Sequence, residues 1–500
     1  MPIARQTLIQ NKETRRHRGH GEEYREMQNA IVFNTSVFSI SRPACRQAGC
    51  YLCVPGASVL PLYFPQGLVL KFLICLPKLL FLRRLIISTV FARAVSTFLN
   101  FLIALLIARH AGPAVKGEVT LLITTIWFFI FLSNILGGQA LVYLIPRNKI
   151  ELLVIPAYLW SVVIALAGFG FLKLTHIVQA YHIPSIAALS LLSSIITIHQ
   201  TILLAKKKIT NSNFVQIICL LLQLAGVLGC FYFLRISDAY AYIYASLGAY
   251  FITAILSFLL IRKQVIFSAF WKDFSLKDMK PSFRYGLLYQ SAEIFQLLNL
   301  RYYFYQLGLQ QGSQYLGIFS IGISILEAVW IIPRGISTVH YVSTSNSAEV
   351  KHEANRTVQL VKVSLLLSGI ALFAIWLVPS QVYTFVFGPG FHDVKHSMRF
   401  LFPGILIYSI PLVISSFYLG IGKYKQLIVA NLCGFLALVL FSWLLIPKYV
   451  MSGAGLAATL SFSVASVILF VYFMVDNDIP ISKFVFGKSD WMLLKKSLKQ

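Results

Sequence analysis

The chain is divided by short polar connectors into a succession of apolar runs of about 20 residues or more, and this division limits its fold more than any other feature. Each run is long enough, at helical rise, to cross roughly 30 Å of hydrocarbon. Run length predicts twelve spans: 85–108, 119–145, 152–174, 183–205, 214–234 and 239–261, then 285–307, 315–339, 358–378, 400–419, 427–446 and 453–474. Only 12% of residues are charged and 58% are hydrophobic, where soluble domains carry about 25% charge. Too few charges remain to coat a soluble surface, and the expected fold class is an all-α polytopic membrane protein with about twelve transmembrane helices.

The two sets of spans share a pattern. Arg83 to Arg147 reads as two helices joined by the turn AGPAVK, and a second copy of this unit begins near Arg284. LLNLRYYFYQLGLQQGSQYLGIFSIGIS stands against FLNFLIALLIARHAGPAVKGEVTLLITT, with Leu99 and Asn100 aligned to Leu298 and Asn299, and Gly117 to Gly317 after a one-residue gap. Self-similar halves are a mark of transporters that rock about a central site.

The net charge of +26 raises nucleic acid as a partner, but the basic residues sit in the connectors rather than in one aromatic-laced patch. Those on one side, such as Lys206, Lys207, Lys208, Arg262, Lys351 and Lys423, outnumber those on the other by more than three to one. This bias places both termini in the cytoplasm and excludes a nucleic-acid role. The cysteines lack the paired spacing of a zinc site, so no metal is expected. His110, His176, His182, His340, His392 and His396 lie near helix ends or in loops and read as solvated loop or interface residues.

Five segments follow. Residues 1–82 are a disordered or non-native N-terminal extension ending in a short interfacial lead-in from Leu68, near which translation is expected to start. Residues 83–261 form the first bundle of six helices, 262–284 a basic cytoplasmic linker, 285–475 the second bundle, and 476–500 a cytoplasmic tail. The connectors are too short for an enzyme domain, no phosphate-binding loop is present, and no external pair of carboxylates offers catalysis. The chain is expected not to be an enzyme and to need no cofactor.

A charge in hydrocarbon costs several kcal/mol unless it faces a cavity or a partner, so intramembrane charges are the candidate site. Arg93 lies in the first span, Glu293 and Arg301 in the seventh, Glu327 and Arg334 in the eighth. Seven residues make almost two turns, which puts Glu327 and Arg334 on one face; eight leave Glu293 and Arg301 within about 80° of each other. Asn100, Asn134, Gln139, Gln290, Gln296 and Asn299 accompany them, as interhelical hydrogen-bonding groups or sugar ligands.

The opening RRLIISTVFARAVSTFLNFLIALLIARHAGPAVKGEVTLL resembles the first helix and turn of lipid-linked oligosaccharide flippases, the O-antigen or Wzx-type branch of the multidrug/oligosaccharidyl-lipid/polysaccharide exporter superfamily. QYLGIFSIGISILEAVWIIPRGIS and FVFGPGFHDVKHSMRFLFPGILIYSIPLVISSFYLGIGKYKQLIVANL are similar to the same family. The resemblance implies two six-helix bundles around a cationic central cavity with alternating access, in a bacterial cytoplasmic membrane. The implied cargo is an isoprenoid pyrophosphate carrying a short glycan for surface polysaccharide such as the O-antigen of lipopolysaccharide. Polysaccharide polymerases and glycosyltransferases are implied partners, and no oligomer is required. Arg93, Arg301 and Arg334 are then the cations for pyrophosphate, Glu293 and Glu327 candidates for proton or sodium coupling, and Asn100, Gln290 and Asn299 polar cavity residues. An ion-coupled multidrug antiporter of the same superfamily would prefer an acidic cavity, and a polysaccharide polymerase would need larger external loops.

Overall fold

A computed structural model describes residues 66–145, 150–262, 276–347 and 349–484. Most of the extension 1–82, the middle of the linker and the end of the tail lie outside the described residues. Among the described residues every regular element is a helix.

Among the described residues nine helices are long and apolar enough to cross a membrane, and two of them cross twice. Helix Gln66–Gly137 bends at Gly112, whose φ of 81° lies in the left-handed region that glycine tolerates. It supplies the first two spans, and the lead-in from Leu68 is continuous with the first. Helix Lys425–Asn477 reverses at Val450 (φ 51°), which brings Leu427 and Ala430 into one buried cluster with Leu469 and Phe473. Between these come Ile150–Thr175, Ile183–Ala205, Ile209–Tyr232 and Ala239–Ile261 as spans three to six. The seventh, Leu276–Gln311, is not among the nine because charged and polar residues interrupt it. The eighth is formed by Ser313–Glu327 and Ile331–Asn346, the ninth by Val350–Leu377 and the tenth by Phe402–Gly420. With two legs from Lys425–Asn477 the described residues make twelve spans, in two sets of six.

The eighth span is broken for a local reason. Pro333 has no N–H to give the Val329 carbonyl, and Ala328–Trp330 tightens to a 3-10 turn at that place. The turn buries Trp330, whose Nε1 donates to the Ile405 carbonyl of the tenth span at 2.9 Å.

The halves meet through the first helix pair against the seventh and eighth spans. Gly112 and Gly312 carry the same bend, with φ/ψ of 81°/179° and 93°/166°. Burial repeats at that spacing: Ala92, Leu99, Ile103 and Ile107 are buried, and so are Ala292, Asn299, Tyr303 and Leu307. The repeat therefore runs without a gap, and Asn299 is the counterpart of Leu99, not of Asn100. The one-residue slip arose because the Leu-Asn pair recurs by chance one position early.

Two histidines read as solvated are buried. His182 is 2% exposed and His340 1% exposed. His340 Nε2 lies 2.8 Å from Thr357 Oγ1, and its Nδ1 3.5 Å from Glu353 Oε2, inside the pairing of the eighth and ninth spans. The helix continues past the predicted span end at 339, which carries His340 into the interface.

Candidate functional site

The four charges of the seventh and eighth spans face each other between helices, one couple as an ion pair and the other at longer electrostatic range. Arg301 Nη1 and Nη2 donate to Glu327 Oε1 and Oε2 at 2.6 and 2.8 Å, the two-pronged geometry that fits a guanidinium to a carboxylate. Glu293 lies within electrostatic reach of Arg334. The hairpin at Gly312 runs the helices antiparallel, so the order Glu-Arg in one and Glu-Arg in the other sets opposite charges across from each other. Two rungs result, separated by about 10–12 Å of helix rise. The shared faces expected from angular spacing say which side of each helix carries the charges, and the hairpin register decides which of them meet across it.

Aromatic rings surround the rungs. The Arg301 guanidinium stands 5.5 Å from the Phe304 ring and 6.0 Å from that of Trp127, a residue of the other half. Trp127 is the repeat counterpart of Glu327. Arg334 lies 5.7 Å from Trp330, one turn before it, and the Trp330 and Tyr408 rings meet tilted at 41° with centroids 5.0 Å apart. Gln296 Nε2 approaches Tyr408 Oη at 3.5 Å beside a small recess lined also by Ser415 and Asn431. Trp127, Trp330 and Tyr408 escaped the sequence reading. The Trp330–Arg334 spacing of one turn was the available sign, since a cation–π pair needs that separation on a helix.

The remaining candidates are dispersed. Arg93 is exposed on the first span and forms no ion pair among the described residues; it is the counterpart of Glu293 with the opposite charge. Asn100 is exposed and donates back to the Ser96 carbonyl. Gln290 is buried. Asn299 is fully buried, not cavity-facing: its Oδ1 accepts from Ser461 Oγ, and it sits against Gly434. It ties the seventh span to the last two. The side chain of Gln139 lies outside the described residues.

The rungs lie between two close backbone contacts. At the face opposite the basic connectors, a Cβ on Gly117 would overlap the Ser313 carbonyl, and one on Gly317 would overlap the Pro113 carbonyl. Toward the basic face, a Cβ on Gly286 would overlap the Ile135 carbonyl. Arg301 and Glu327 in between retain 16% and 17% side-chain exposure. The arrangement is a charged site at the seam of two halves, held shut at both ends by contacts only glycine permits. Among the described residues no group of three His, Cys, Asp or Glu is placed to hold a metal.

A model of the MatE family matches residues 295–444, the part that contains the Arg301–Glu327 pair and Arg334. No curated protein matches the chain. Among solved structures, the chain is similar to an inward-facing multidrug resistance MATE family transporter of the MOP superfamily, with TM-score 0.63 and 14% identity over 77% of this chain and 94% of that one. It is similar to the lipid II flippase MurJ in an inward closed conformation, with TM-score 0.60 and 17% identity over 80% and 88%. A third similar structure is a MOP superfamily transporter from Pyrococcus furiosus Vc1, whose binding pocket is described as of reverse polarity, suggesting a different function; the TM-score is 0.55 at 15% identity over 79% and 95%. The fold is thus the membrane-transporter fold shared by MATE proteins and MurJ.

Proposed function

We propose that the chain is a flippase that moves an isoprenoid pyrophosphate-linked oligosaccharide across the bacterial cytoplasmic membrane by alternating access, without covalent chemistry. The observation that carries this reading is the charged ladder between two glycine seams, with Arg301 and Glu327 ion-paired and Glu293 facing Arg334 at longer electrostatic range. A pyrophosphate at mid-membrane needs fixed, always-charged donors, and guanidinium forks match its oxygens two at a time. Pairing with carboxylates keeps these cations tolerable in hydrocarbon while the site is empty. A proton or sodium ion taken up by Glu327 or Glu293 frees its arginine for the cargo, and opening of one seam at a time carries the cargo from face to face. Arg93, exposed on the first span, is a further cation on the same route.

The excess of basic connectors supports a cytoplasmic location for both termini. Under this reading the partners are the membrane lipid that carries the glycan and the polymerase and glycosyltransferases that use it, in polysaccharide, O-antigen or lipopolysaccharide assembly. A multidrug antiporter is the second reading, favoured by the aromatic set Trp127, Phe304, Trp330 and Tyr408, which suits organic cations. Two arginines among those rings oppose a cationic cargo.

Expression in a cell lacking its own polysaccharide flippase tests the proposal. Restored surface glycan supports it; resistance to cationic drugs without restored glycan in cells matched for several glycan types overturns it in favour of the antiporter.

A further inference from the structure

At the face opposite the basic connectors, three elements of the first half converge beside the Gly117–Gly317 seam. Glu118 follows Gly117 directly, Tyr181 and His182 form the turn before the fourth span, and Asp238 and Tyr240 open the sixth. Tyr181, Tyr240 and Tyr244 make a stair of roughly parallel rings, with centroids 6.2 and 5.6 Å apart and interplanar angles of 29° and 27°. Its two ends, Tyr181 and Tyr244, are each 52% exposed. The His182 ring lies 4.2 Å from that of Tyr181 and 5.6 Å from that of Tyr240. It is 98% buried, and neither ring nitrogen has a hydrogen-bond partner. Glu118 and Asp238 are close enough to act on each other and on Tyr181, and Asp238 acts on His182.

Helix building does not account for this set. Asp238 caps the sixth span through one carboxylate oxygen, which accepts from the Tyr240 N–H at 2.9 Å, but Glu118 and the imidazole serve no such purpose. A buried imidazole with two idle nitrogens is costly unless a ligand completes it. Carboxylates accept hydrogen bonds, a neutral imidazole both donates and accepts, and half-exposed tyrosine faces offer flat apolar platforms. A pyranose ring fits all three demands: its hydroxyls donate and accept, and its C–H face stacks on an aromatic ring. A simple cation would answer the carboxylates alone.

We propose that Glu118, Tyr181, His182, Asp238 and Tyr244 form a docking site for pyranose rings on the external face, separate from the charged ladder. It rests on the flippase reading, and it meets the glycan where the cargo leaves the Gly117–Gly317 seam. The site binds sugar without the lipid pyrophosphate, which only the ladder engages.

Saturation-transfer NMR on the full chain in nanodiscs, with a panel of neutral methyl pyranosides and disaccharides, tests this without any transport step. Transfer to ring C–H protons is expected, weakened about tenfold by Tyr181→Leu, the loss of one aromatic platform, and similarly by Glu118→Gln. Asp238→Asn keeps the helix cap, and Tyr244→Leu touches an exposed position, so both report on binding in a folded protein. Arg334→Gln is expected to leave sugar binding intact. No transfer from any sugar overturns the site, as does transfer lost in Arg334→Gln but kept in Tyr181→Leu and Glu118→Gln. Displacement of all signal by tetramethylammonium at equal concentration also overturns it, by making it a cation site. Failure of glycan restoration in cells with sugar binding intact would count against the flippase reading alone.

Discussion

Gly117 and Gly317 meet face to face, each with its backbone nitrogen 3.0 Å from where the other's Cβ would stand, and each set against the carbonyl of the residue four places before the other. The contact is reciprocal because the two residues hold the same place in two copies of one unit. It fixes where the halves touch and makes that touch intolerant of any side chain.

Alanine at either position forces the halves apart, at a cost of about 1–3 kcal/mol for overpacking a fitted contact. Gly170 and Gly229 have open space where a Cβ would go, so alanine there is expected to be neutral or to stabilise by about 0.5–1 kcal/mol through helix propensity. Thermal unfolding in detergent checks both: a lower midpoint for Gly117→Ala and Gly317→Ala, and none for Gly170→Ala and Gly229→Ala. Equal effects at all four would remove the special status of the seam.

Arg301 and Glu327 depend on each other. Loss of one strands a largely buried opposite charge, and Arg301→Ala or Glu327→Ala alone is expected to destabilise by about 3 kcal/mol. The double replacement, which removes both charges, should cost markedly less, and a double-mutant cycle measures the coupling. Additive losses would mean that the pair is not an energetic unit.

Asn299 holds the seventh span to the last two through Ser461 and Gly434. Asn299→Ala leaves Ser461 without that acceptor and is expected to cost about 1–3 kcal/mol. Its effect should fall on thermal stability and expression, with turnover per folded molecule unchanged; a large drop in turnover with normal stability would instead put Asn299 in the transport path.

Trp330 joins the tenth span through the Ile405 carbonyl and lies under Arg334. Trp330→Phe keeps the ring face and loses the N–H donor, so a loss of about 1 kcal/mol in stability is expected, with cargo affinity kept. Trp330→Leu removes the face as well and should weaken cargo binding further. Binding of a lipid-linked oligosaccharide to both variants separates the two contributions.

The twelve spans were legible because hydrocarbon thickness translates directly into run length. The four charged residues were legible for a similar reason: charge in an apolar run stands out on its own. Their pairing was less so. Angular spacing relates residues of one helix, and it puts Glu327 and Arg334 on one face; the antiparallel register set by the bend at Gly312 decides which residue of the seventh span stands across from each, and brings Arg301 to Glu327. That register depends on how the hairpin packs, which composition does not report. Gly117 and Gly317 could be matched from sequence, yet their contact could not, since a repeat says that two residues are equivalent and not that they touch. His182 and His340 lie near helix ends, a position that in sequence implies exposure, whereas packing of neighbouring elements covers both.

The central claim is that arginines at the seam carry an anionic lipid-linked cargo. Flipping of an isoprenoid pyrophosphate-linked oligosaccharide in proteoliposomes measures it, with Arg334→Ala and the charge-neutral double replacement Arg301→Ala/Glu327→Ala compared with the unaltered chain at equal folded protein. The account predicts loss of about tenfold or more in rate for each, the removal of one charge-assisted pair of hydrogen bonds to phosphate. Full transport by both would contradict it.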